Sequence, residues 1–166
     1  ALSDPSRIFN LDETATTTVQ KPKRVVAEKG VKQLCSATSA ERGQLVTTCA
    51  IISAIGTFLP PIMIFPRHHF KPHMLTGAPS GTIGLANPSG WMSTELFSLV
   101  MDHFIKLSNS SSENPSLLIY DNLEAHISID VIEKARAAGV HIITLPPHCS
   151  HKLQPLDVAV FASFKT

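Results

Sequence analysis

The chain has 166 residues, 43% of them apolar and 16% charged, and a formal net charge of +1. That composition excludes intrinsic disorder and suits one domain with its own core. It neither advertises nor excludes a nucleic-acid partner, since a local basic stripe can hide in a near-neutral total.

The three cysteines, Cys35, Cys49 and Cys149, form no C-x-x-C pair, which argues against a disulfide framework. No apolar run is long enough to span a bilayer, so no membrane partner is expected. The opening "ALSDPSRIF" has neither Met nor a signal-peptide pattern. Residues 1–166 are therefore expected to be one domain within a longer protein.

In chain order, "RIFNLDET" (Arg7 to Thr14) reads as a strand with acids at its C-terminal end. "TTTVQKPKRVVAEKG" reads as a polar, then basic loop with a short strand near Arg24 to Ala27. "KQLCSATSAERGQLVTTCAIISAIG" suggests a hairpin turning at Glu41-Arg42-Gly43, with a β-branched run from Leu45 to Ile55. Pro60 and Pro61 precede a further strand, Ile62 to Phe65, as suits a strand start. Arg67 to Gly90 is rich in Pro, Gly and Ser and is expected to be a long irregular loop.

"STELFSLVMDHFIKL" has helical periodicity. Glu95, Ser98, Asp102 and Lys106 lie on a polar face, Leu96, Val100, Phe104 and Leu107 on an apolar one, and Ser93 serves as N-cap. "SLLIYD" and "VHIITLPP" read as buried strands. Between them "SIDVIEKARAAG" reads as a helix capped by Ser128 and stopped by Gly139. Strand, helix and strand make a right-handed βαβ unit. "QPLDVAVFASFK" begins a last helix with Pro155 at its first position. The expected fold is α/β, a mixed sheet flanked by helices.

Among 13 carboxylates, most occupy turns, polar loops or solvated helix faces. Asp12 and Asp121 instead end apolar strands, and Asp157 lies in the first turn of the last helix. Ligands gather at the C-terminal ends of strands in open α/β sheets. If the two strands are neighbours, Asp12 and Asp121 share that rim, and the loop after "IITLPP" brings Asp157 to it. Three acids would repel one another without a cation, and hard divalent ions prefer such oxygen ligands. Capping a helix or pairing with Arg or Lys are the other fates of strand-end acids.

"FNLDET", "GWMSTELF", "LLIYDNLEAH" and "LPPHCSHKLQPLDVAVF" resemble the DDE endonuclease domain of pogo/Tigger-type transposases and the jerky- and centromere protein B-like host proteins derived from them. The resemblance runs from about Ile8 to Lys165, and its most specific block is Leu145 to Phe161. It implies a ribonuclease-H-like fold, a nuclear location, DNA as substrate, and a possible homo-oligomer assembled on that DNA. It also implies three catalytic acids, at Asp12, Asp121 and Asp157, holding two ions of Mg²⁺ or Mn²⁺ for two-metal phosphodiester cleavage. Asn122, His126, His148 and His151 match the same blocks, as support for the ligands or as DNA contacts. The chain departs from the family pattern at Leu123, Ala125 and Ala15. Two function classes therefore stay open: a metal-dependent nuclease/transposase, or a derived protein that binds DNA or chromatin without cutting.

Other motifs carry less. His68, His69 and His73 lack a matching Cys/His pair for zinc and read as a basic, DNA-facing loop. "QKPKR" is a phosphate contact or a solvated turn. His103 and His141 suggest only packing. The adjacent His148 and Cys149 have no further support as a nucleophilic pair.

Overall fold

The computed structural model describes residues 4–18 and 44–164. Six strands form one mixed sheet: β1 (Ile8–Thr17), β2 (Leu45–Ser53), β3 (Phe58–Phe65), β4 (Ile83–Ala86), β5 (Ser116–Tyr120) and β6 (Val140–Thr144), in the order β4-β3-β2-β1-β5-β6. β1 to β3 form an antiparallel meander, while β5 lies parallel to β1 and β6 parallel to β5. The C-terminal ends of β1, β3, β4, β5 and β6 therefore share one rim. The helices are α1 (Thr94–Ser108), α2 (Ile129–Ala137) and the short α3 (Ser150–Leu153). A π-helical turn at Leu156–Val160 then leads into α4 (Phe161–Phe164).

The core lies between the sheet and α1. Phe9, Leu11, Cys49, Ile51, Ile62, Leu118 and Tyr120 project from strands onto Phe97, Val100, Met101 and Phe104. Phe104 meets Phe9 edge-on at 5.1 Å, and Phe97 meets Tyr120 at 5.3 Å. Ser93 Oγ accepts the Leu96 N–H, and Ser128 Oγ accepts the Val131 N–H, so both expected N-caps are present. Gly139 ends the α2 region at φ +68, where a Cβ would lie 2.2 Å from the Ser111 carbonyl oxygen. The βαβ unit is present with its parallel strands.

Several expectations need correcting. β1 continues to Thr17, so Asp12 lies within the strand, not at its end. Pro60 and Pro61 lie inside β3, not before it, and the β2–β3 register shifts opposite them, between Cys49 and Ile51. Proline cannot donate to the ladder, so the irregularity falls where the donors are missing. The stretch 67–90 holds a 3-10 turn (Pro72–Leu75) and β4, which pairs parallel with β3. Helix α1 buries Phe97, Val100, Met101, Phe104 and Ser108, rotated from the Leu96/Leu107 face. β6 is an edge strand with Ile143 49% exposed, not a strand covered on both sides. The last helix is interrupted, and α3 takes up part of the preceding loop. The expected strand at Arg24–Ala27, the hairpin turn at Glu41–Gly43, "QKPKR" and Cys35 lie outside the described residues.

Candidate active site

β1 and β5 pair in parallel with Asn10 opposite Ile119. Two residues further on, the same register sets Asp12 beside Asp121, on neighbouring strands about 5 Å apart in an ideal sheet. The β1–β5 ladder itself ends at Asn10 and Ile119.

Asp12 shares a face of β1 with Asn10 and Thr14. Its Oδ1 accepts the Glu13 N–H at 2.8 Å. Its Oδ2 is buried and has no hydrogen-bond partner, as does Thr14 Oγ1 two residues along. Burial is the largest of the effects that together bring the Asp12 carboxyl up to about 7. The negative charges of Asp157 and Asp121 act in the same direction, against the Glu13 N–H and the nearby Gln154 amide. Both other acids are thus close enough to oppose its ionisation.

Asp157 arrives by a different route. Buried Asn10 Nδ2 donates to Gln154 Oε1 at 2.7 Å and to the Ile119 carbonyl at 3.0 Å. Gln154 Nε2 donates to the Leu11 carbonyl, and the Leu156 N–H donates to Asn10 Oδ1. This amide pair fastens the segment after α3 to β1. The Phe161 N–H closes the π turn on the Leu156 carbonyl, and Leu156 and Phe161 are both buried. Asp157, next to Leu156, stays exposed.

Asp121 is half-buried, and its Oδ1 lies 2.6 Å from His126 Nδ1. The hydrogen bond from His126 holds the carboxyl below its usual range, against the effect of burial. His126 Nε2 meets Glu13 Oε1 at 3.0 Å. The ring stacks on Phe97 with centroids 4.2 Å apart and meets Tyr120 edge-on at 5.7 Å. Burial alone would push this imidazole down; its hydrogen bonds to Asp121 and Glu13 outweigh that and raise it to about 9.

Asp121 and His126 therefore lie at the end of β5, beside the middle of β1, where Asp12 is within electrostatic reach of both Asp121 and Asp157. Among the described residues no group of three or more His, Cys, Asp or Glu is closed to metal-binding spacing. Three neighbouring carboxylates repel, and Asp121 is turned onto His126. The donor set still fits a hard divalent cation, because Asp12 keeps an unpartnered buried oxygen beside two further carboxylates. Asn122, His148 and His151 are all exposed, and His148 has a positive φ of 62. None of the three side chains hydrogen-bonds to Asp12 or Asp121. His103, expected only to pack, is buried against the Pro60 carbonyl at 2.9 Å.

Glu13 and Gln154 did not stand out in the sequence. The pair Asp12-Glu13 was visible, but its meaning depends on where His126 lies. Gln154 sits inside the motif block "LPPHCSHKLQPLD", and a glutamine signals nothing until its burial is known.

The family model for the DDE superfamily endonuclease matches residues 43–166. An MFS-type transporter, clz9, of Cochliobolus lunatus is 30% identical over 131 residues, which is 78% of this chain but 14% of that protein. The human pogo transposable element with ZNF domain is 25% identical over 120 residues, 70% of this chain and 8% of that protein. The chain thus spans a small part of each relative, and the transporter name describes a protein mostly outside the match. Among the described residues no helix is long and apolar enough to cross a membrane. The Mos1 transposase paired-end complex with left transposon end superposes with a TM-score of 0.63 at 14% identity, covering 98% of this chain and 42% of that one. The Mos1 mariner paired-end complex with Mn gives a TM-score of 0.62 at 16% identity, covering 98% and 42%. These likenesses show the fold, the ribonuclease-H-like mixed sheet expected from the sequence. By its family match, the chain belongs to the DDE superfamily of endonucleases.

Proposed function

We propose that this domain is the phosphodiester-cutting unit of a pogo/mariner-like transposase, acting on DNA in the nucleus with Asp12, Asp121 and Asp157 as its catalytic acids. The observation that carries this reading is the buried, unpartnered Oδ2 of Asp12, whose carboxyl is pushed up to about 7 by burial and by the charges of Asp157 and Asp121.

Asp12, Asp121 and Asp157 would together hold the ions, with Asp12 offering its unpartnered buried Oδ2. When bound, a pair of Mg²⁺ or Mn²⁺ ions would activate the attacking water or 3′-OH and stabilise the leaving oxygen. The chain's own part is to hold the carboxylates at fixed positions. β1 fixes Asp12, the β5 end and His126 fix Asp121, and the Asn10–Gln154 amide pair fixes the segment carrying Asp157.

DNA would lie across the rim at the strand C-termini. The loop after β3 leaves the sheet at this rim and exposes Arg67, His68, His69, Lys71 and His73. No carboxylate occurs from Arg42 to Thr94, so this side of the rim offers phosphates cations without competing acids. Such contacts give affinity without sequence preference. The Mn- and Mg-containing Mos1 complexes support the choice of ion.

The test is Mn²⁺-dependent cleavage of transposon-end DNA by the full-length protein, with Asp12→Asn and Asp121→Ala as controls, beside melting curves of the domain with and without Mn²⁺. A ligand that binds only the folded site stabilises it by about 2.7 kcal/mol at a hundredfold excess over Kd. Wild type should gain stability and Asp12→Asn should not. The second reading, DNA binding without cutting, draws on the absence of a closed ligand group among the described residues. DNA binding with neither cleavage nor stabilisation by Mn²⁺ would establish it.

A further inference from the structure

We propose that Glu13 is a positioning residue for Asp121, acting through the His126 ring; the inference rests on the metal-site reading above. Asp12 and Glu13 are consecutive on β1, so their side chains leave opposite faces of the sheet. Asp12 faces the segment that carries Asp157. Glu13 faces α1, where its Oε1 meets His126 Nε2 at 3.0 Å. Across the same ring, Nδ1 meets Asp121 Oδ1 at 2.6 Å.

An imidazole held at one nitrogen can still turn. Held at both, stacked on Phe97 at an interplanar angle of 27° and set edge-on to Tyr120, this ring has one orientation. Its Nδ1 then dictates where Asp121 Oδ1 lies. The tether matters because Asp121 sits where the chain leaves the sheet, its side chain one-third exposed. Facing the charge of Asp12, it would otherwise rotate towards water. Glu13 does not itself join the acid cluster, because its carboxylate is occupied on the far face. A carboxylate–imidazole–ligand chain of this kind orients the ligand at metal sites, and its loss typically costs 10- to 100-fold in metal affinity.

A merely structural trio would tie the segment after β5 onto α1 and leave ion binding unchanged in any variant that folds. The deciding experiment compares wild type with Glu13→Ala, Glu13→Met and Glu13→Gln. It reads Mn²⁺ affinity by electron paramagnetic resonance titration and the Asp121 carboxylate position in metal-free crystals. Met fills the space without an acceptor and carries the test if Ala does not fold. Gln still offers Oε1 to the Nε2–H. The expected result is Mn²⁺ binding weakened about 10- to 100-fold in the Ala and Met variants, Asp121 displaced from the ring, and both effects largely rescued by Gln. A folded Met variant with wild-type affinity and an unmoved Asp121 would overturn the proposal while the metal reading stands. If wild type itself binds no Mn²⁺, the metal reading falls, and the crystals alone decide: a displaced Asp121 upholds the positioning role and an unmoved one ends it.

Discussion

The two faces of the sheet are held by different forces. The α1 face is packed mainly from apolar side chains, with Leu11, Ile51, Ile62, Phe97 and Phe104 essentially inaccessible and the Glu13–His126 pair beside them. The other face of β1 carries Asn10, Asp12 and Thr14, and its cover is fastened by a buried amide pair. Beside that cover lies an apolar cavity of about 710 Å³ lined by Thr48, Ile52, Phe58, Met63 and Val160. Apolar burial is strong but non-directional, whereas a buried amide pair is worth little net and fixes one register. The first face should therefore govern stability and the second the placement of Asp157.

Phe104→Ala and Gln154→Ala separate these roles. Phe104 is fully buried against Phe9, and its truncation should cost about 3–5 kcal/mol by urea unfolding. Gln154→Ala leaves the Leu11 carbonyl without its side-chain donor and opens a smaller gap, so about 2–4 kcal/mol is expected. Mn²⁺ binding should rank the other way, weakened more by Gln154→Ala per unit of stability lost. Equal weakening by both variants would erase the distinction between the faces.

The faces also titrate apart. Asp12 is raised to about 7, above its unfolded value, so the metal-free protein should lose stability as pH rises from about 4 to 7. The loss is at most about 4 kcal/mol, and about half that once solvent screening is allowed for. His126, on the other face, is raised to about 9. Its contribution is full below about 6.5 and lost as pH rises through 9. Asp121 is lowered and contributes above its unfolded value, losing that contribution as pH falls. Chemical unfolding should show two successive losses as pH rises, one between about 4 and 7 and one between about 6.5 and 9. Asp12→Asn should abolish the lower and keep the upper. If it flattens both, the two groups are one coupled system.

What the sequence disclosed follows the same division. Ser93, Ser128 and Gly139 could be read because caps and left-handed stops act locally. The Asp12–Asp121 neighbourhood was legible only on the condition that β1 lies beside β5, and the strand order meets that condition. β4 was hidden because four residues, Ile83–Ala86, carry too little periodicity to stand out between glycines and prolines. The exposed edge of β6 was hidden because "VHIIT" is apolar enough for a covered strand, and only the strand order says which neighbour is missing. The links Glu13–His126 and Asn10–Gln154 join residues more than a hundred positions apart, and no local signal pairs them.

Gly139→Ala probes a site where both kinds of force are absent. Its φ of +68 strains any other residue, and the added Cβ would meet the Ser111 carbonyl at 2.2 Å. A loss of about 1–3 kcal/mol is expected, with Mn²⁺ affinity unchanged.

The smallest effect belongs to the substitution that looks most serious in the sequence. Leu123 departs from the family pattern two residues after Asp121, yet its side chain is 46% exposed. It N-caps the 3-10 turn Glu124–His126, and what it gives that turn is its backbone carbonyl, which accepts the His126 N–H at 2.9 Å. The side chain that holds Asp121 belongs to His126, and that residue is in place. Leu123→His should therefore change stability by less than about 0.5 kcal/mol and leave the ring nitrogens of His126 with the same partners, as nitrogen-15 NMR of the imidazole would show. A shift of the His126 signals in that variant would mean that the position touches the acids through a rearrangement of the turn, and that the two faces meet at Leu123 as well as at β1.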